Sequence, residues 1–270
     1  MTATLHVFHT NDFHNALTEA GAARLRAAVD AVGPNAPYLL LDAGDAIKAG
    51  NVGVNPFGEL ILELMSRTGY HAMTLGNREF HVWRAALETK INRAAFPVLC
   101  ANIRRRGEPP FGARWDDPAA PPLPVEPWHV FEVSGPPPLR VAVLGLTVPM
   151  VTERMKAAAA ISAFVFDDPI KTAAALVPRL REKADAIIAL THIGLREDER
   201  LGLSVRGIDL IVGGHSHVTL PSPKWVDNTP IVQTGVYGRH FGHVILTFGD
   251  DGQRLNVRGA LHLLEEKPRR

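Results

Sequence analysis

The order of the apolar runs constrains this chain more than any other feature. Short stretches rich in leucine and β-branched residues alternate with stretches of helical period: LHVFH at 5–9, a helix near 20–32, YLLLD at 38–42, a helix near 57–68, then HAMTL. Strands that alternate with helices build sheets with a parallel centre and helices on their faces, so an α/β fold is predicted. The second helix is expected to bury Phe57, Ile61, Leu64 and Met65 and to stop at Gly69, which can take the left-handed backbone that closes a helix. A third helix is predicted over about 80–92, ended before Pro97, with VLCAN as the next strand.

The middle of the chain breaks this rhythm. Ten of the 21 prolines lie between Pro109 and Pro138, and proline fixes φ and lacks a ladder donor, so an irregular excursion is expected over about 107–138. Two strands, WHVFEV (128–133) and RVAVLGL (140–146), flank an SGPPP turn. Asp168 is predicted to cap a helix with Pro169 at its first position and Ile170, Ala174 and Val177 on its buried face. AIIAL (186–190), a short polar helix and IDLIV (208–212) restore the alternation, and PIVQTG, FGHVILTF and LNVRGALHLL are expected to be consecutive antiparallel strands.

Composition narrows the partners. With 46% hydrophobic and 21% charged residues the chain can bury a substantial core, and 29 basic against 28 acidic residues give a formal charge of +1. No bulk field therefore points to nucleic acid or to an anionic membrane surface. No apolar run approaches the roughly 18 residues of a transmembrane helix. The single Cys100 and the strand-like opening MTATLHVFHTND make the cytoplasm the expected compartment.

Polar clusters fall in one recurrent place. HTNDFH follows the first strand, DAGD the second, GNREFH the third, THIG the AIIAL strand and GGHSH the IDLIV strand. The C-terminal edge of an open α/β sheet is where ligands bind. Asp12 and His14 are two apart, as are His215 and His217, and in extended backbone such side chains share a face. Gly213-Gly214 and Gly44 are expected to bend the chain just before the polar residues that follow them. Asp12, His14, Asp45, Asn77, His192, His215 and His217 are too many donors for one tetrahedral ion and suit two adjacent divalent ions (manganese, zinc or iron) sharing a carboxylate. Two such ions against two carboxylates leave a surplus of positive charge that a phosphate group would balance.

HTNDFH, DAGD, GNREF, THIG and GGHSH, in that order and continued by PIVQTGVYGRHFGHV, resemble the calcineurin-like metallophosphoesterases, and most closely the metal-binding domain of the 5′-nucleotidase family. The resemblance implies a four-layer α-β-β-α sandwich with two mixed sheets. It implies a phosphomonoester or phosphodiester hydrolase whose nucleophile is metal-activated hydroxide. Asp12, His14 and His217 would bind one ion, Asn77, His192 and His215 the other, and Asp45 would bridge them. Residues 1–270 are expected to form one such domain, without the C-terminal domain that in 5′-nucleotidases clamps the nucleoside base. The expected partner is a small phosphorylated substrate, with a nucleotide as one candidate.

One stretch departs from the family pattern. The family usually reads GNHEFD, whose histidine, oriented by the aspartate, stabilises the transition state; here Arg78 and His81 take those two positions. Asn77 and Arg78 are expected to contact substrate phosphate, since a guanidinium fork suits phosphate but cannot release a proton. His81, one helical turn on, is the candidate proton donor. The competing reading is a weakly catalytic or non-catalytic module that binds metal and phosphate. The bland reading of TLGNREFH is a helix start with Asn77 as its cap. Asp42 is expected to accept backbone amides within DAGD, and Asn11 to support the site without ligating. His6, His9, His71, His129, His240, His243 and His262 are read as packed or solvent-facing, and Tyr237 and Arg239 as minor candidates for substrate contact.

Overall fold

A computed structural model describes residues 2–50, 52–135, 138–249 and 252–265. Elements are numbered along the chain. The first of two six-stranded sheets has the order β14-β13-β1-β2-β3-β4, built from β1 (Ala3–Thr10), β2 (Tyr38–Asp42), β3 (Ala72–Thr74), β4 (Val98–Leu99), β13 (His240–Phe248) and β14 (Arg254–Leu263). Strands β1 to β4 pair in parallel, and β13 and β14 add antiparallel strands beside β1. The second sheet has the order β11-β12-β10-β9-β7-β6. Its parallel centre is β7 (Leu139–Thr147), β9 (Ala186–His192), β10 (Leu210–Val212) and β12 (Thr229–Val232). Antiparallel β6 (Trp128–Val133) and β11 (Lys224–Val226) close its two edges. A ribbon of β5 (Ile103–Arg104) and β8 (Val165–Phe166) stands apart.

Alternation within each strand explains the layering. Leu5 and Val7 of β1 and Leu39 and Leu41 of β2 pack against Val141, Val143, Ile188 and Leu190 of the other sheet. Phe8, Leu40 and Met73 face the other way, onto α1 (Glu19–Asp30), α2 (Leu60–Thr68) and α3 (Arg84–Ile91). Leu144, Ile187 and Ile211 pack on α5 (Pro169–Arg181) and α6 (Leu195–Ser204), while short α4 (Lys156–Ile161) follows the loop after β7. Both faces of the parallel centre of each sheet are covered, which is why those strands read as unbroken apolar runs, while the outer strands β14, β11 and β6 are more open to solvent. The result is the four-layer α-β-β-α sandwich with mixed sheets.

Local signals placed most elements. Gly69 closes α2 with φ 91°, and the Asp168 carboxylate accepts from Ile170 and Lys171 N–H at 2.9 and 3.0 Å to cap α5 behind Pro169. Four expectations are corrected. Phe57 is 80% exposed, because the Asn55-to-Gly58 turn delays the start of α2 to Leu60. The buried stripe of α5 is Ala173, Leu176, Val177 and Leu180, an i, i+3, i+4, i+7 set that leaves Ala174 exposed. PIV belongs to β12 and pairs in parallel with β10, so only β13 and β14 form the antiparallel tail. GNREFH starts no helix: α3 begins at Arg84, its cap is Trp83, and Asn77 caps nothing. The Pro109–Pro138 excursion holds only a 3-10 turn, Ala113–Asp116, before β6, and Pro136 and Pro137 of the SGPPP turn lie outside the described residues.

Candidate active site

Loops leaving β1, β2 and β3 of one sheet and β9 and β10 of the other meet at a single edge of the sandwich. They carry Asp12 and His14, Asp45, Asn77, His192, and His215 and His217 respectively, so the structure brings all seven candidate ligands together. His217 Nε2 lies 3.2 Å and His14 Nε2 3.7 Å from Asp12 Oδ1. Asp45 reaches both sides, with Oδ2 3.6 Å from His14 Nε2 and Oδ1 3.5 Å from His192 Nε2. The Asn77 side-chain oxygen sits 3.2 Å from His192 Nε2 and 3.0 Å from His215 Nδ1. Asp12, His14 and His217 form one cluster and Asp12, Asp45 and His192 a second.

The convergence has an unexpected backbone origin. Asp12, His14, Asp45, His215 and His217 have φ of 53°, 48°, 56°, 75° and 56°, so the i, i+2 pairs meet through left-handed backbone and not through an extended strand. Each such residue costs on the order of 1–3 kcal/mol and persists only where its surroundings hold it. Here cross-loop hydrogen bonds do so: Asp12 N–H donates to Gly44 O, His14 N–H to Asp45 O, and His215 N–H to Asp12 Oδ2. Gly44 is left-handed as expected, but Gly213 and Gly214 are not. They are glycine for want of room: a Cβ on Gly213 would stand 2.4 Å from Asp198 Oδ2, and one on Gly214 2.7 Å from Ala43 O.

The donor set fits divalent metal. Two donors bound to one ion at roughly 2.0–2.1 Å are separated by roughly 3.0–3.4 Å, the range that these carboxylate, amide and imidazole atoms approach. Asp12 Oδ1 and His14 Nε2 are buried without a hydrogen-bond partner, an arrangement a bound cation would complete. His192 Nδ1 is paired with Ala43 O at 2.7 Å, which turns Nε2 toward Asp45 and Asn77. The electrostatics agree. Burial works against ionised Asp12 and Asp45, yet the surrounding histidines outweigh it and hold both carboxyls below the usual range. Burial likewise opposes a proton on His192, but Asp45 and then Asp12 raise its pKa to about 10. The centre attracts positive charge.

A second set of residues holds the loops in place. The fully buried Glu79 carboxylate accepts from Asp45, Ile47 and Gly76 N–H at 3.0, 3.1 and 2.9 Å. A Cβ on Gly76 would lie 2.3 Å from Asp45 N, so this position of GNREF admits only glycine. Burial and then the charge of Asp45 raise the Glu79 pKa to about 7. Lys90 of α3 is fully buried, and its Nζ donates to Gly50, Arg78 and Phe80 carbonyls at 2.9, 2.6 and 3.2 Å. Gln233 Oε1 accepts from Ser216 Oγ and Val218 N–H, both at 2.9 Å, and fixes the HSH loop. As expected, Asp42 accepts from Gly44 N–H, while Asn11 bridges Asp12 Oδ2, Gly235 O and Thr234. Tyr237 packs edge-on against the His14 ring, 5.4 Å between centroids. Sequence reading missed Glu79, Lys90, Gln233 and the Tyr237 contact. Glu79 and Gln233 stood inside quoted motifs, but nothing local distinguished Lys90 from a surface lysine.

Lys90→Met leaves three carbonyls without their donor and is expected to destabilise the fold by about 2–4 kcal/mol, read by urea denaturation. A loss below about 0.5 kcal/mol would show that other donors replace the ammonium.

Arg78 and His81 diverge. Arg78 lies over the centre, with its N–H on Asp45 Oδ1 at 2.8 Å, Nε 3.3 Å from Asp45 Oδ2 and Nη1 on Lys48 O at 2.9 Å. It pairs with neither Glu79 nor Glu88; the latter binds Arg84. His81 is 4% exposed, and its ring hydrogen-bonds the backbone of Trp83 (Nδ1, 3.0 Å) and of Val52. The helical spacing expected to aim it at Arg78 is absent, because α3 starts three residues later.

The layered fold with polar loops meeting at one sheet edge is the arrangement of the calcineurin-like phosphoesterases, and the comparisons agree on that family. The family model for calcineurin-like phosphoesterases matches residues 5–219, and the chain belongs to that family. Within it the chain is 5′-nucleotidase-like. It is 32% identical to the trifunctional nucleotide phosphoesterase protein YfkN of Bacillus subtilis (strain 168), over 92% of this chain and 18% of that protein. It is 32% identical to the 5′-nucleotidase of Vibrio vulnificus (strain CMCP6), over 94% of this chain and 50% of that one. The 5′-nucleotidase precursor from Thermus thermophilus superposes with a TM-score of 0.71 at 27% identity, covering 96% of this chain and 54% of the other. The chain thus spans about half the length of these nucleotidases and less of YfkN.

Proposed function

We propose that the chain hydrolyses a small phosphomonoester or phosphodiester of nucleotide type, with two divalent transition-metal ions held by the seven converging side chains. The observation that carries this reading is the pair of buried, unpartnered atoms, Asp12 Oδ1 and His14 Nε2, inside a ring of donors at ligand spacing. Asp12, His14 and His217 would hold one ion, Asn77, His192 and His215 the other, with Asp45 shared. When bound, such ions supply Lewis acidity that brings the pKa of a water near neutrality and offsets charge on phosphoryl oxygens. The protein's part is positional. Asn77 and Arg78 orient the phosphate, the Arg78 guanidinium offering a planar fork of donors that suits phosphate oxygens. His215 and His217 form the exposed wall, so the leaving alkoxide takes its proton from solvent. Burial first and Lys90 second lower the His81 pKa, keeping the ring neutral near pH 7, and its backbone hydrogen bonds favour a supporting role. We place the protein in the cytoplasm on the strength of its one cysteine, Cys100, which is buried and free.

The weakly catalytic reading is favoured by one observation, that His81 and Arg78 do not rebuild a coupled acid. A panel of aryl, bis-aryl and nucleotide phosphates, assayed with manganese, magnesium, zinc and iron alongside elemental analysis, decides between the two. Two ions per chain with turnover support hydrolysis; two ions and phosphate binding without turnover support the binding module. Arg78→Met is expected to raise KM for a phosphomonoester roughly tenfold to a hundredfold with metal content unchanged. His81→Gln is expected to leave the shape of the pH–rate profile intact. Loss of one limb would make His81 the proton donor after all.

A further inference from the structure

Arg78 is held at both of its ends. Its backbone N–H donates to Asp45 Oδ1 at 2.8 Å and its Nη1 to Lys48 O at 2.9 Å, while its carbonyl accepts from Lys90 Nζ at 2.6 Å. Nε stands 3.3 Å from Asp45 Oδ2, yet it is buried and aligned on no acceptor. Nη2 takes no part in these bonds, so the Nε–Nη2 edge of the fork is the one left open. That edge is a bidentate donor for phosphate oxygens, provided the turn that carries Arg78 is fixed.

The turn has no regular structure to fix it. α3 begins only at Arg84, and no backbone N–H of the described residues donates to the Arg78 or Phe80 carbonyl. Lys90 supplies the donor from the last turn of α3, its three ammonium hydrogens matching the carbonyls of Arg78, Phe80 and Gly50. Gly50 lies two residues beyond Lys48, so one ammonium ties the backbone of Arg78 to the segment that receives its guanidinium. Burial opposes this cation, and Glu79, Glu59 and Asp45 favour it. Glu79 binds the Asp45 loop, and Glu59, 6% exposed, hydrogen-bonds Asn15 beside His14. Both acids therefore hold loops that carry candidate ligands.

We infer that Lys90 is a positioning residue for phosphate binding: by joining the Arg78 carbonyl to residues 48–50, it holds the Nε–Nη2 edge of Arg78 open toward the candidate centre. The inference rests on the reading of Arg78 as a phosphate contact, and phosphate binding is measured apart from turnover. Inorganic phosphate is titrated by calorimetry into the metal-loaded full chain, with circular dichroism to check that each variant is folded. Arg78→Met and Lys90→Met are each expected to weaken binding roughly tenfold or more, with metal content unchanged. The double variant is expected to bind within about twofold of Arg78→Met alone, because Lys90 acts through Arg78. Lys90→Gln keeps a neutral donor, is expected to fall between wild type and Lys90→Met, and carries the comparison if Lys90→Met is unfolded. Lys90→Ala is expected to regain affinity when propylammonium, the fragment it lacks, is added. Wild-type affinity in the Lys90 variants, losses that multiply in the double variant, or metal lost from Lys90→Met would each overturn the positioning role. Unchanged affinity in Arg78→Met would refute the phosphate contact and the positioning role with it. Coupled losses of phosphate binding in a protein that turns over no phosphoester would keep the positioning role and refute hydrolysis.

Discussion

Asp45→Asn is expected to cut metal content from two ions per chain to one or none and to lower phosphoesterase activity by roughly a hundredfold or more, with the fold intact. Asp45 reaches both halves of the centre, 3.6 Å from His14 and 3.5 Å from His192, although Asp12 is the carboxylate common to the two clusters. The amide removes a full negative charge and replaces one acceptor oxygen with a donor. The charge is the larger loss, because a divalent cation is held more strongly by an anionic carboxylate than by a neutral amide oxygen. Elemental analysis of the purified variant, with assays across the metal panel, reads both effects, and far-UV circular dichroism checks the fold. Full metal content together with a wild-type rate would falsify the shared-ligand assignment.

The second large effect is on acid stability and lies away from the site. His9 is fully buried on β1, its Nδ1 has no partner, and burial first and then His243 depress its pKa to about 3. A Cβ on Gly242 of the neighbouring strand would lie 1.9 Å from His9 Nε2, so the ring has no room to move away. In the unfolded chain the histidine titrates near 6.5. Above that pH both states are neutral and His9 contributes no pH dependence. As pH falls from about 6.5 toward 3 the unfolded state binds a proton that the folded state refuses, so stability drops by up to about 1.4 kcal/mol per pH unit. The summed loss by pH 3 is about 5 kcal/mol from this group. Partly exposed His243, lowered to about 4 by burial and then by His6 and His262, acts in the same direction. His9→Gln is expected to be less stable than wild type at pH 7 but to show a shallower decline toward acid, measured by urea denaturation at a series of pH values. Parallel curves for the two proteins would show that His9 is protonated in the folded state.

Much of the site is legible in the order of residues along the chain, for a local reason. A ligand at the C-terminal end of a strand must follow an apolar run, and GNREFH, THIG and GGHSH each do. What the chain order does not reveal is how those residues reach one another. Asp12 and His14 converge through φ of 53° and 48°, which depend on Gly44, Asp45 and Tyr237 from distant loops. Lys90 looks like any helix lysine until α3 is packed and its ammonium finds the carbonyls of Gly50, Arg78 and Phe80.

The α/β order, the caps at Asp168 and Gly69, and the identities of the donors at the sheet edge follow from the amino-acid sequence directly. All of these depend on neighbours within a few residues. Folding in three dimensions was needed to place β12 in the second sheet, to make Gly213 and Gly214 necessary for space, and to leave GNREFH as a turn. It also set Arg78 toward the centre and His81 toward Trp83 and Val52. Those outcomes depend on groups up to 203 residues apart in sequence, as in the His215-to-Asp12 hydrogen bond, and are set by which loops the folded sheets bring into contact.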